Sequence, residues 1–147
     1  MWNVGYSYQN LNTLDIGLRR TSNESDSNIG DGQWMMRYFL YPYSILGTEI
    51  NFQSDKISLS PKIGFGYHFL FVNANLNFVG YNDGIHINPT FVPEIGYSFF
   101  GVYQINYGYN LFMNNNDLFG LGRNKISFRF SFFINSKGWK LKDLKSI

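Results

Sequence analysis

The side chains that could do chemistry in this sequence are few, and most fall at alternate positions. A hydrolase needs a nucleophile, a base and a group that orients the base. His68 with Ser60 or Ser58 is the one combination that fits, because all three share strand parity. No acid stands at a spacing that would complete a triad. Serine and asparagine are also common enough here to place such pairs by chance, so a lumen or girdle residue is the plainer reading of His68. His86 lies beside a loop and carries no motif. Two histidines and no cysteine leave too few ligands for a transition metal, and exclude a disulfide framework. The stretch Asp26-Ser27-Asn28-Ile29-Gly30-Asp31-Gly32 faintly resembles a calcium loop. Gly30 falls on a ligand position and no Glu closes the loop, so a solvated loop is expected. Neither a metal nor a cofactor is expected.

A larger charged set shares one parity. Asp15, Arg19, Arg37, Glu49, Lys62, Glu94, Lys125 and Arg129 all lie on the polar side of alternating segments. A lone charge in a shielded interior is costly, whereas acids and bases together can satisfy one another. The expected role is a paired network that fills an interior. A gated or very narrow ion path is the functional alternative.

The elements that must position these groups are strands. Apolar and polar residues alternate with period two along nearly the whole chain, and no window carries a helical period. Trp2, Val4, Tyr6 and Tyr8 oppose Asn3, Gly5, Ser7 and Gln9. Leu14, Ile16 and Leu18 oppose Asp15, Gly17 and Arg19. Trp34, Met36, Tyr38 and Leu40 alternate with Arg37, and Leu46, Ile50 and Phe52 with Gly47, Glu49 and Asn51. Further runs cover 57–68, 72–78, 87–98, 103–111 and 126–132. That makes nine segments, and Tyr41-Pro42-Tyr43-Ser44 reads either as a turn or as the middle of one long bent strand. The second choice gives an even eight strands. The alternative is ten, with a first strand missing. Asn82-Asp83-Gly84 is a hairpin signal. Pro61-Lys62-Ile63-Gly64-Phe65-Gly66-Tyr67 weakly repeats as Pro93-Glu94-Ile95-Gly96-Tyr97-Ser98-Phe99.

Composition narrows the class. Of 147 residues, 20% are aromatic and only 15% charged, yet mean hydropathy is −0.21. No stretch approaches the ~18 apolar residues of a membrane helix. One strand face in lipid and the other in a polar lumen reconciles these values. The polar face holds Gly5, Gly17, Gly47, Gly64, Gly66, Gly96 and Gly108, small enough for a narrow lumen. The bulky face holds one charge, Arg20, at a strand end where it can snorkel. The expectation is an all-β, antiparallel, up-and-down transmembrane barrel of residues 1–134 with almost no helix. Trp2, Tyr8, Trp34, Tyr67, Tyr97 and Tyr109 would form its interfacial girdles. A soluble lipocalin-like barrel that binds a small ligand would turn the same faces the other way. A net charge of +2 gives no footing for nucleic acid.

Alternating Gly and aromatic residues and the closing Phe128-x-Phe130-x-Phe132 strand resemble small outer-membrane barrels of the OmpA/OmpX type. Pro93-Glu94-Ile95-Gly96 and Tyr107-Gly108-Tyr109-Asn110 are similar to uncharacterised barrels of Bacteroidetes-type bacteria. The resemblance covers roughly residues 2–134. Short turns opposite longer polar loops add to it, and it implies a bacterial outer-membrane location and contact with the lipid bilayer. It implies no activity. Two features depart from it. Met1 runs straight into a strand pattern without an export leader, so a mature form or a lost start is expected. The chain also continues past Phe133, where such barrels end. The tail, 135–147, carries Lys137, Lys140, Lys142 and Lys145 against Asp143, a net of +3 beside +2 for the whole chain. With Trp139 it is expected to lie on anionic headgroups or to dock on a partner subunit, with Trp139, Lys140 and Lys142 as its contacts. The leading function is a non-enzymatic structural, anchoring or accessory barrel, possessing recognition loops and working with outer-membrane or periplasmic subunits. A barrel-embedded lipid hydrolase using His68 and Ser60 is the enzymatic alternative.

Overall fold

A computed structural model of the chain describes residues 1–21, 40–53, 56–82, 86–99, 102–114 and 120–132. Among them there is no helix. Nine strand segments are present: β1 Trp2–Tyr8, β2 Asn12–Thr21, β3 Leu40–Phe52, β4 Ile57–Phe69, β5 Val72–Asn82, β6 Ile87–Phe99, β7 Tyr103–Tyr109, β8 Leu111–Phe112 and β9 Asn124–Phe132. Segments β7 and β8 both pair with β6 and are one strand interrupted at Asn110. Every neighbouring pair is antiparallel, and β1 pairs with both β2 and β9. The sheet therefore closes on itself as an eight-stranded, up-and-down barrel, which leaves no open edge.

The long-bent-strand reading of the Pro42 region holds. Residues Tyr41–Ser44 form no turn: they pair rung by rung with β4 from Tyr41↔His68 to Ser44↔Phe65. Pro42 lies on the outer face, and parity runs through it unbroken. Pro61 and Pro93 are also absorbed. Each is laddered on one side only, to Thr48 and Leu76, while the ladder on the other side starts at the next residue, Lys62↔Val79 and Glu94↔Gly108. A residue without an N–H is tolerated at such a position.

Followed round the sheet from Trp2 through Leu18, Leu46, Ile63, Phe78 and Phe91 to Leu111, the register slides about ten residues in one circuit, a stagger that tilts the strands. The start of β1 and the end of β9 meet at one end of the barrel, in the rung Trp2↔Phe132. That terminus end also carries the connection 22–39 and the tight turn at Leu70-Phe71. The other end carries 9–11, 53–56, 83–86 and 113–123. Asn10, with φ 66°, makes the first of these turns in the left-handed region that Asn tolerates. Asn82 is the last residue of β5, whereas Asp83 and Gly84 lie outside the described residues. So do the acidic loop at 22–33, Trp34, Arg37 and the tail contacts Trp139, Lys140 and Lys142.

The two faces of the wall differ as the periodicity requires. Inward side chains are almost all polar, from Asn3, Ser7 and Thr13 to Ser127 and Ser131. Outward ones are almost all large and apolar, such as Leu46, Phe65, Ile95 and Phe128. Where two strands press closest, the inner residues are glycines. Gly17 and Gly47 face each other across β2 and β3, and a Cβ on Gly47 would come within 2.5 Å of the Ile16 carbonyl oxygen and 2.8 Å of the Gly17 Cα. Both obstacles are backbone and cannot swing away. The variant Gly47→Val is expected to lose about 1–3 kcal/mol through overpacking, whereas Leu46→Val, one residue along on the open outer face, should lose far less. Urea midpoints of the two purified variants test this, and equal losses would contradict it.

Candidate functional site

The lumen is built in three layers. The middle one is an ion network drawn from five strands. Arg129 on β9 places Nη1 2.6 Å from Glu94 Oε2 and Nη2 2.7 Å from Glu94 Oε1, a two-pronged pairing, and its Nε lies 3.1 Å from Asp15 Oδ2. Lys62 on β4 donates to that same Asp15 oxygen and reaches Glu49 Oε1 at 3.4 Å. Lys125 reaches Glu49 Oε1 at 2.5 Å. Asn75 Nδ2 adds a bond to Glu94 at 3.4 Å. Three acids face three bases, all at most 4% exposed. Space for them comes from glycine: a Cβ on Gly5 would lie 2.8 Å from Arg129 Cγ, and one on Gly108 2.8 Å from Glu94 Cγ.

The layer toward the terminus end centres on Arg19. Its guanidinium carbon sits 3.8 Å from the Tyr43 ring centroid and 5.7 Å from that of Tyr41, and it donates to the Tyr41 hydroxyl at 3.3 Å. The His68 ring lies against both tyrosines, with centroids 4.7 and 4.9 Å apart, and its Nε2 is 3.2 Å from Gln104 Nε2. Tyr43 folds its ring over Gly66, where a Cβ would collide with it, and bonds Asn75. This is a cation held on aromatic faces, a setting distinct from the acid–base pairs below it. Arg19 thus belongs to a different layer from the network in which its parity placed it.

The layer toward the other end is partly apolar. Val79, Tyr81 and Val92 form a small buried cluster, with Phe112 and Leu121 packed on it. Leu121 comes from the 113–123 connection. The Tyr81 hydroxyl lies 3.0 Å from Gln9 Oε1 and 3.2 Å from Glu49 Oε2, tying this cap to the network. Asn110, at the break between β7 and β8, donates to Gln9 Oε1 at 2.8 Å and to the Gly122 carbonyl at 2.7 Å.

The structure brings Asp15, Glu49, Lys62, Glu94, Lys125 and Arg129 together, while Arg37 lies outside the described residues. It does not bring His68 and Ser60 together. They stand eight residues apart on β4, roughly 26 Å along a strand. Ser60 is instead held by Asn51 Nδ2 at 2.9 Å in the opposite half of the lumen. No nucleophile–base pair is formed by these two. The inward aromatics Tyr43 and Tyr81 were missed, and the polar-face residues Gln9 and Asn110 were not singled out as a cap. Parity was the available signal, because Tyr43 is in phase with Glu49 and Tyr81 with Asn73, Asn75 and Asn77. Of the expected girdle, Trp2, Tyr67 and Tyr97 are exposed near the terminus end, where Tyr103 joins them. Tyr8 is exposed near the other end and Tyr109 half-buried there. Two further tyrosines of that end donate to asparagines, Tyr6 to Asn12 at 2.6 Å and Tyr107 to Asn124 at 2.7 Å.

Breaking one partner of the bidentate pair strands the other. Arg129→Met is expected to cost about 3–5 kcal/mol, and Glu94→Gln a similar amount. Their double variant should cost clearly less than the two together, since it leaves no unpaired charge at that pair. Additive losses in denaturant midpoint would show that the pair does not act as a unit.

Compared with known proteins, the chain matches no family model, no curated protein and no solved structure.

Proposed function

We propose that this chain is an integral outer-membrane β-barrel that acts without enzymatic chemistry, as a structural, anchoring or accessory component. The lipid bilayer is its principal partner, and other outer-membrane or periplasmic subunits would contact its ends. The observation that carries this reading is the reversed distribution of polarity. On the outer face of the described strands Arg20 is the one charged side chain, while Asp15, Arg19, Glu49, Lys62, Glu94, Lys125 and Arg129 are buried inside. In water such an exterior would be an apolar surface far beyond the few hundred Å² that soluble proteins expose. In a bilayer it is the required one, and tyrosines beside asparagines at one end and Trp2 with tyrosines at the other suit the two interfaces. A soluble ligand-binding barrel needs an apolar cavity, and the charged network occupies that space.

The reading predicts that the protein partitions with membranes, needs detergent for extraction, and changes gel mobility on boiling. An unchanged band from a protein found in the soluble fraction would overturn it. The filled lumen predicts a second outcome: liposomes containing the purified barrel show no steady conductance. Stable single-channel steps would replace the closed reading with a pore.

A further inference from the structure

Arg20 is the exception on the outer wall, and its surroundings give it a use. It faces Ser44 on β3, and Ser44 faces Phe65 on β4, so the three form one rung across adjacent strands. The middle residue is small and half-buried while both neighbours are exposed. Beside this rung, Gly66 adds no side chain and Pro42 only a flat ring. The result is a groove of about 490 Å³ lined by Arg20, Pro42, Ser44, Phe65 and Gly66, with the buried Tyr43 beneath it. The neighbouring rung toward the middle of the barrel is Leu18↔Leu46↔Ile63, three exposed aliphatic side chains. The groove lies near the terminus end, where Trp2, Tyr67, Tyr97 and Tyr103 are also exposed. A cation and a hydroxyl at interfacial height, above an aliphatic track, match the layout of one lipid molecule: phosphate first, acyl chain below.

We infer that this groove is a binding site for one anionic phospholipid, its phosphate held by the Arg20 guanidinium and the Ser44 hydroxyl and one acyl chain lying along Leu18 and Leu46. The inference rests on the membrane reading proposed above. Guanidinium suits the task because its planar fork can give two parallel hydrogen bonds to phosphate oxygens. Ser44 matters twice, since its hydroxyl is a donor and its small size makes the notch. The occupant is a lipid and not a free anion because the rest of the site is apolar and continuous with the barrel wall.

The test is native mass spectrometry of the detergent-extracted barrel offered equal amounts of phosphatidylglycerol and phosphatidylcholine. Wild type should retain phosphatidylglycerol about fivefold in excess, the preference one arginine confers near a surface. Arg20→Gln should bring the ratio to about one. Ser44→Leu keeps the charge but fills the notch, and should lower phosphatidylglycerol retention as well. Equal retention of the two lipids by wild type, or a preference surviving in Arg20→Gln, would overturn the site. So would an unaffected Ser44→Leu, or displacement of the lipid by inorganic phosphate at the same concentration. Heat-modifiable gel mobility, measured on the same samples, separates the two failures. Its loss in wild type sinks the membrane reading, whereas its presence without lipid preference sinks this site alone.

Discussion

The constraint on which the rest of this barrel depends is that every charge of its described strands except Arg20 is turned inward. Once the outer face of every strand is apolar, each polar side chain must be satisfied inside a bore about as wide as the side chains that fill it. A buried charge left without partners there would be costly. The network meets this by balance and by sharing. Asp15 serves both Arg129 and Lys62, Glu49 serves both Lys62 and Lys125, and Glu94 takes two prongs of Arg129. Because these residues come from β2, β3, β4, β6 and β9, the network also fixes the register of strands that do not touch. A slip of one residue in any of them would turn its charge out to the apolar face.

The same constraint explains why glycine is placed where it is. Three of the large inward groups, Arg129, Glu94 and Tyr43, each lie over a glycine: Gly5, Gly108 and Gly66. The interior is therefore a set of complementary heights in which one strand gives the space its neighbour uses. It also orders the interior into successive layers. Arg19 on its tyrosines, the ion network, and the Val79–Tyr81–Val92 cluster under Leu121 succeed one another from end to end.

Much of this was legible because period two is binary. Parity alone assigned Asp15, Glu49, Lys62, Glu94 and Arg129 to one face, and it carried β3 through Pro42. It failed where a residue's type argued against its phase. Tyr43, Ile45 and Tyr81 look like outer-face residues and are inward, since Gly66 and the caps leave room that only the folded neighbour reveals. Parity is also silent about height. His68 and Ser60 share a face, as the sequence says, yet strand geometry puts them at opposite ends of the bore. Arg19 likewise has the right phase for the network but lies a layer away from it, among aromatics contributed by β3 and β4.

The weak repeat in the sequence is a geometric repeat in the barrel. Pro61 and Pro93 each stand just before a ladder begins, on β4 and β6. The next residue, Lys62 or Glu94, points into the ion network. Two further on, Gly64 and Gly96 stand opposite Asn77 and Asn106, and a Cβ on either would collide with the facing asparagine. Then Phe65 and Tyr97 return to the outer face. Two hairpins with one backbone plan thus differ in the sign of the charge they deliver. That difference is what the lumen needs: Lys62 meets the acids of β2 and β3, and Glu94 meets the arginine of β9. Had both hairpins delivered lysine, the network would hold four cations against two acids, and Arg129 would lose its two-pronged partner, leaving buried positive charge that a narrow interior holds only at high cost.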